Sequence, residues 1–151
     1  RSCWQGYMLG AKLASEEDYY LQVKRDIQRY RGPAQLAQLD HQKDVWQWYS
    51  QFDFLVHPAT LEAFGLCIIE AMYAECVVVA ERAAGPRDII EDARTGLLVG
   101  FAALDDVVQR MAPYIENIDE RRKMGRRASR NVVERYRVSR HTDQVTELLC
   151  R

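Results

Sequence analysis

The sequence predicts an α/β protein, a doubly wound parallel sheet, from three observations. Short apolar runs alternate with segments of helical apolar spacing. Two of these runs, Phe52-Asp53-Phe54-Leu55-Val56-His57 (closed by Pro58) and Val77–Ala80, suit strands covered on both faces of a parallel sheet. The segment between them reads as loop and helix, so the unit is strand, loop, helix, strand with a right-handed crossover.

In chain order, Gly6-Tyr7-Met8-Leu9-Gly10-Ala11 reads as a strand. Glu16 to Tyr30 reads as a helix, with apolar positions at Tyr20, Val23 and Ile27. Gln35–Leu39 reads as a strand and Val45–Ser50 as a short helix, followed by the strand ending at His57. A helix is expected from near Gly65, with Leu66 to Met72 as its first two turns, and then the strand Val77–Ala80. Ala84-Gly85-Pro86-Arg87-Asp88-Ile89-Ile90-Glu91-Asp92 reads as a loop with Pro at a helix start, then a short helix. Thr95–Gly100 reads as a turn and a short strand, and the region from about 103 to 151 as helical.

The most informative stretch is Glu62-Ala63-Phe64-Gly65-Leu66-Cys67-Ile68-Ile69-Glu70-Ala71-Met72. It puts two carboxylates and a helix N-terminus just past the carboxyl end of a strand, the edge at which open α/β sheets bind ligands. Carboxylates accept hydrogen bonds from sugar hydroxyls, and a helix N-terminus offers backbone N–H groups to phosphate. At a helical rise the two glutamates are separated by at most roughly 12 Å, enough to reach a hexose with one and a ribose with the other. Gly65 lets the backbone approach the ligand closely. A nucleotide-sugar has hydroxyls at both ends and a diphosphate between, and suits such a surface.

The 151 residues are one domain's worth, and 48% apolar content is enough for a core. The net charge of -1 predicts no global attraction to nucleic acid, and no stretch of about 18 apolar residues exists to cross a membrane. Cys3, Cys67, Cys76 and Cys150 show no metal or redox spacing; Cys67 and Cys76 read as small core residues in a reducing compartment. His57 ends a strand beside the candidate site, where it lines a pocket or holds a structural hydrogen bond. Trp46, Trp48 and Tyr49 read as packing residues, and no acidic cluster has the pattern of a divalent metal site. From Glu120 to Arg140, nine Lys/Arg residues face two acids, which is either a solvated helix face or a surface for anionic lipid. No base-stacking aromatics interleave them, so nucleic acid is not an expected partner.

Asp53–Pro58, Glu62–Met72, Val77–Ala80, Gly85-Pro86-Arg87-Asp88-Ile89-Ile90 and Thr95-Gly96-Leu97-Leu98-Val99 stand in an order that resembles the C-terminal, donor-binding domain of retaining glycosyltransferases of family 4, the group 1 type. Arg121-Arg122-Lys123-Met124-Gly125, Ala128 and the helix up to Tyr136 resemble the same domain's end. The resemblance implies a Rossmann-like sheet, the C-terminal half of the two-domain GT-B fold. It implies that Glu62 contacts hydroxyls of the transferred sugar near the reacting face, in a positioning and electrostatic role. Glu70 then binds the ribose, the amides of Phe64, Gly65 and Leu66 hold sugar hydroxyls and the distal phosphate, and Gly85 lines the pocket. The donor would be a UDP- or GDP-sugar with no further cofactor. The acceptor, a glycan or a lipid-linked sugar, would be held by an N-terminal domain, in the cytoplasm or peripherally at the inner membrane face.

Measured against that family, the start lacks the first strand, its helix and two basic diphosphate-binding residues, so the chain reads as part of a longer enzyme, inactive alone. Ala84, Glu75, Ala93 and Asp40 stand where glycine is common, and Val77 where proline is; each is a candidate for a turn of positive φ, costing about 1 kcal/mol. Two other readings stay open: another nucleotide-binder, epimerase-like or dinucleotide-dependent, and a non-catalytic remnant of the fold. The lack of Gly-x-Gly-x-x-Gly speaks against the dinucleotide version.

Overall fold

A computed structural model describes residues 4–10 and 17–136 of the chain, which falls into two units, Arg1–Val45 and Trp46–Arg151. The expected ends at Ala11 and Glu16, the cysteines Cys3 and Cys150, and the helical region beyond Tyr136 lie outside the described residues.

In the first unit, β1 (Gln5–Leu9) and β2 (Gln35–Leu39) pair in parallel, from Gln5 opposite Gln35 to Leu9 opposite Leu39. The connecting helix α1 (Glu17–Arg29) begins on Glu17 and Asp18 and ends on Arg29, charges that complement its dipole. The Tyr20 hydroxyl donates to Asp40, 3.1 Å away.

The second unit is a three-stranded parallel sheet, β3 (Phe54–His57), β4 (Val77–Glu81) and β5 (Leu97–Val99), with β4 in the middle. Helix α2 (Trp46–Tyr49) precedes it, α3 (Leu66–Tyr73) and α4 (Ala84–Ile89) follow β3 and β4, and α5 (Leu104–Glu116) and α6 (Ile118–Arg135) close the chain. Both sheets are parallel, with helices between the strands, as expected of a Rossmann-like α/β fold.

β4 shows why its sequence is apolar at every position. Val77, Val78, Val79 and Ala80 are fully buried, as expected of a parallel strand covered on both faces. Val77 and Val79 join Leu97, Val99, Val107 and Met124 in one core, flanked by Phe54, Phe101, Met111 and Tyr114. Each such side chain contributes about 1.5–3 kcal/mol on burial. Cys76 is buried, as expected, and burial pushes its thiol up to about 12. Tyr49 is buried too, while Trp46 stacks on Tyr73 at 5.0 Å and is 45% exposed.

Helix α6 holds the unit together through backbone contacts. Its Asn117 cap accepts from the amides of Asp119 and Glu120 at 3.0 and 3.2 Å. Arg121 bonds Asp53 at 2.8 Å and lies over the Phe54 ring. Helix α3 ends in a Schellman turn: Glu75 N–H donates to the Met72 carbonyl at 3.1 Å and Cys76 N–H to Ala71 at 3.0 Å. Glu75 therefore takes φ 63°, the left-handed region that favours glycine. Gly125 of α6 lies against that turn so closely that a Cβ would run into the Glu75 carbonyl oxygen.

Of the five positions expected in positive-φ turns, Glu75 and Ala93 (φ 60°) adopt them. Ala84 opens α4, Val77 opens β4, and Asp40 is not among the positive-φ residues. Helix α4 starts at Ala84, two residues before Pro86. Pro86 is tolerated because the first-turn N–H groups have no intrahelical partner. Replacing Ala93 by Gly should relieve its turn and raise stability by about 0.5–1 kcal/mol, whereas Gly125→Ala should lower it by about 1–3 kcal/mol. Urea unfolding of both variants checks the pair; a stabilised Gly125→Ala would contradict the close approach.

Candidate functional site

The chain leaves β3 at His57 and returns into α3 at Leu66, on the carboxyl side of the parallel strands. The loop between carries Glu62, Phe64 and Gly65. Gly65 has φ 76° and ψ 51°, left-handed, directly before the helix. A Cβ there would press on Ile68 and Ile89 at 3.1 and 3.2 Å, so both backbone angle and space require glycine.

Directly before this turn, two loop amides converge on Glu62. The Gly65 N–H donates to Glu62 Oε1 at 2.8 Å, and the Phe64 N–H to the same oxygen at 3.2 Å. These two amides, and His57 behind them, hold the Glu62 carboxyl below the usual carboxylate range. It is therefore anionic at neutral pH. Two of the amides expected to meet a ligand, those of Phe64 and Gly65, are thus engaged by Glu62 in this structure. The N–H groups of Leu66 and Cys67 have no intrahelical backbone acceptor by geometry, while those of Ile68 and Ile69 meet the Gly65 carbonyl at 3.0 and 3.2 Å.

His57 sits behind the glutamate. Its Nε2 lies 3.4 Å from Glu62 Oε2, within charge attraction but outside hydrogen-bond geometry. Its Nδ1 is 3.7 Å from Cys67 Sγ. With 15% of its side chain exposed, His57 backs the carboxylate. Cys67 is half-buried, and burial together with the Glu62 charge pushes its thiol up, away from a reactive thiolate.

Gly85 supports the same loop from α4. It is buried, and a Cβ there would collide with the Glu62 carbonyl oxygen. It makes a close backbone contact with the Glu62 loop. Glu70 is exposed on α3, on the face it shares with Leu66 and Tyr73. Glu62 and Glu70 are thus carried by one loop and the helix it opens.

Sequence reasoning missed two contacts here. The Tyr136 ring meets Phe64 edge-on at 6.1 Å, and Arg135 bonds the carbonyls of Asp88 and Ile89. Both join residues far apart in the chain, and no local pattern marks them. Among the described residues no group of three or more His, Cys, Asp or Glu could hold a metal ion.

An α/β sheet with an anionic glutamate at its strand edge, followed by a glycine-entered helix, defines a ligand-binding domain of Rossmann-like class. The sequence profile described as glycosyl transferases group 1 matches residues 7–131, and the chain belongs to that family. It is 28% identical over 109 residues to a trehalose synthase of Thermococcus litoralis, covering 72% of this chain and 26% of that protein. A GDP-mannose-dependent alpha-mannosyltransferase of Mycolicibacterium smegmatis is 36% identical over 87 residues, covering 58% of this chain and 23% of its own length. The crystal structure of Anabaena HepE in complex with UDP and glucose superposes with a TM-score of 0.84 at 25% identity, covering 95% of this chain and 40% of that one. The chain thus spans about a quarter of these curated relatives.

A carboxyl depressed by amide bonds contributes order that is present above its unfolded value and lost as pH falls through the folded one. On acidification, the Glu62 carboxyl carbon signal should turn over below 4.5, its ordinary value, with the Phe64 and Gly65 amides moving at the same midpoint. A midpoint at or above 4.5 would contradict the amide cradle.

Proposed function

We propose that this chain is the donor-binding part of a longer hexosyltransferase that takes a nucleoside-diphosphate sugar and transfers the sugar with retention. The observation that carries this reading is the Glu62 carboxylate, fixed by the Phe64 and Gly65 amides at the carboxyl edge of β3. Family membership and the UDP and glucose bound in the Anabaena neighbour support it.

In this mechanism the bond from the anomeric carbon to the distal phosphate oxygen breaks with its electron pair leaving on the diphosphate. The acceptor hydroxyl oxygen bonds to the same face of that carbon, and its proton passes to the departing phosphate oxygen. The N-terminal dipole of α3, entered at Leu66, offsets that negative charge. Glu62 accepts hydrogen bonds from hydroxyls of the transferred sugar on the lone pairs its own amides leave open. Phe64 and Gly65 therefore act through Glu62, by orienting it. Glu70, one helix face along, accepts from the ribose hydroxyls. Glu62 is anionic, so it supports positive charge on the sugar ring and donates no proton. The acceptor, a glycan or lipid-linked sugar of polysaccharide synthesis, is assigned to the part of the longer protein that this chain does not span.

The reading extends to a cytoplasmic site of action at the inner membrane face. Helix α6 exposes Arg122, Arg126, Arg127 and Arg130, while Lys123 is paired with Glu120. Arg137 and Arg140 lie outside the described residues. Near an anionic leaflet each exposed cation contributes about 1 kcal/mol. The chain should pellet with phosphatidylglycerol-containing vesicles and not with neutral ones; equal pelleting on both would remove this part of the reading.

Saturation-transfer NMR against UDP-glucose, UDP-N-acetylglucosamine, GDP-mannose and NAD tests the donor reading. One nucleotide-sugar should give signal, and Glu70→Ala should weaken it about tenfold or more, the worth of hydrogen bonds to a charged acceptor. Signal from NAD alone would favour a dinucleotide enzyme instead.

A further inference from the structure

We propose that Tyr136, at the end of α6, is a positioning residue that fixes the Glu62–Gly65 loop through the ring of Phe64. Because that loop is read as part of the donor site, the consequence for ligand binding rests on the function proposed above.

The geometry forms a chain of contacts from α6 to the carboxylate. Tyr136 follows α6 directly, and its N–H closes the helix on the Val132 carbonyl at 2.9 Å. Arg135 pins this helix end to α4, donating to the Asp88 carbonyl at 2.6 Å and the Ile89 carbonyl at 3.3 Å. The same guanidinium lies over the Tyr136 ring, 5.5 Å from its centroid, and so helps set the ring's orientation. The ring then meets Phe64 at 88°, the edge-to-face arrangement that aromatic quadrupoles favour. Phe64 is 52% exposed, too open for burial alone to fix it. Its own N–H holds Glu62 Oε1, so a shift of the Phe64 peptide moves the carboxylate. On the other side, Ile89 lies against Gly65 and Gly85 against the Glu62 backbone. The loop is therefore held between α4 and the end of α6, and Arg135 locks those two supports to each other.

Such a contact needs the Tyr136 ring and not its hydroxyl. In the full 151-residue chain, Tyr136→Leu should shift the Phe64 and Gly65 amide resonances and speed their hydrogen exchange. The Val78 and Val79 amides of β4 should stay unchanged, which separates loop release from loss of fold. Tyr136→Phe should match the unsubstituted protein. Edge-to-face pairs translate to roughly a 2- to 10-fold loss of affinity in Tyr136→Leu for whichever of UDP-glucose, UDP-N-acetylglucosamine and GDP-mannose the unsubstituted chain binds. Phe64→Leu should lose about the same, and the double variant no more than either single one. Unmoved Phe64 and Gly65 amides in Tyr136→Leu, equal disturbance in Tyr136→Phe, or additive losses would overturn the assignment. If Tyr136→Leu does not fold, Phe64→Leu probes the same contact from its exposed side, and unmoved Tyr136 ring signals there would overturn it. If the unsubstituted chain binds none of UDP-glucose, UDP-N-acetylglucosamine and GDP-mannose, the donor reading falls, while the amide resonances still decide the positioning role.

Discussion

The left-handed turn at Gly65 is the constraint on which the candidate site depends. That backbone angle lets the chain turn from the two amides that hold Glu62 straight into α3. With φ negative, α3 would leave the loop in another direction, and the Phe64 and Gly65 amides that meet Glu62 Oε1 at 3.2 and 2.8 Å would no longer stand directly before its first turn. The turn is also packed tightly, with Ile68 and Ile89 against the position a Cβ would take. Its geometry is thus set by the core behind it as much as by the residue itself.

The same device, backbone brought against backbone by a missing side chain, recurs around the unit. Gly85 lets α4 touch the carbonyl of Glu62, and Gly125 lets α6 touch the carbonyl of Glu75. Both contacts place helices close to loops that a Cβ would push away. Glu75 takes its left-handed angle at the expense of about 1 kcal/mol because the Schellman turn of α3 offers hydrogen bonds in return. The Ser129 hydroxyl adds another, donating to the Tyr73 carbonyl at 3.0 Å. The strain at Glu75 is therefore held by α6, the helix that also ends beside Phe64.

Much of this was legible in the chain. Composition marks β4 most clearly, because a parallel strand covered on both faces must be apolar throughout, as Val77–Ala80 are, whereas β1 and β2 carry glutamines and are marked by shorter apolar stretches. Gly65 before an apolar helix marks the turn, and Glu62 and Glu70 mark the polar groups that flank it. What was not legible depends on partners distant in sequence. Gly85 looks like any loop glycine until the Glu62 carbonyl is seen against it. Ala84, Val77 and Asp40 do not take the positive φ that Glu75 and Ala93 do, since φ follows from the local hydrogen bonds and not from what other sequences carry there. The start of α4 moved because Pro86 fits anywhere in a first turn. Tyr136 and Arg135 reach residues more than forty positions away.

The charge state of Glu62 narrows what the site can do chemically. A general acid must hold a proton at neutral pH, which needs a carboxyl raised by burial or by a neighbouring negative charge. Glu62 has the opposite surroundings: two amide donors and an imidazole, with its side chain 26% exposed. Each favours the anion. His57 presents its Nε2 to the carboxylate and its Nδ1 to Cys67, whose thiol is itself pushed toward its protonated form. On the donor-site reading proposed above, a fixed anion on one side of the sugar ring and a helix N-terminus beside it would form a pair of opposite fields. A reaction that develops positive charge on a sugar and negative charge on a departing diphosphate is served by both at once. Neither field has to reorganise as the charges form, which is why the rigidity imposed by Gly65, Gly85 and the aromatic contact at Phe64 belongs to the chemistry as much as to the fold.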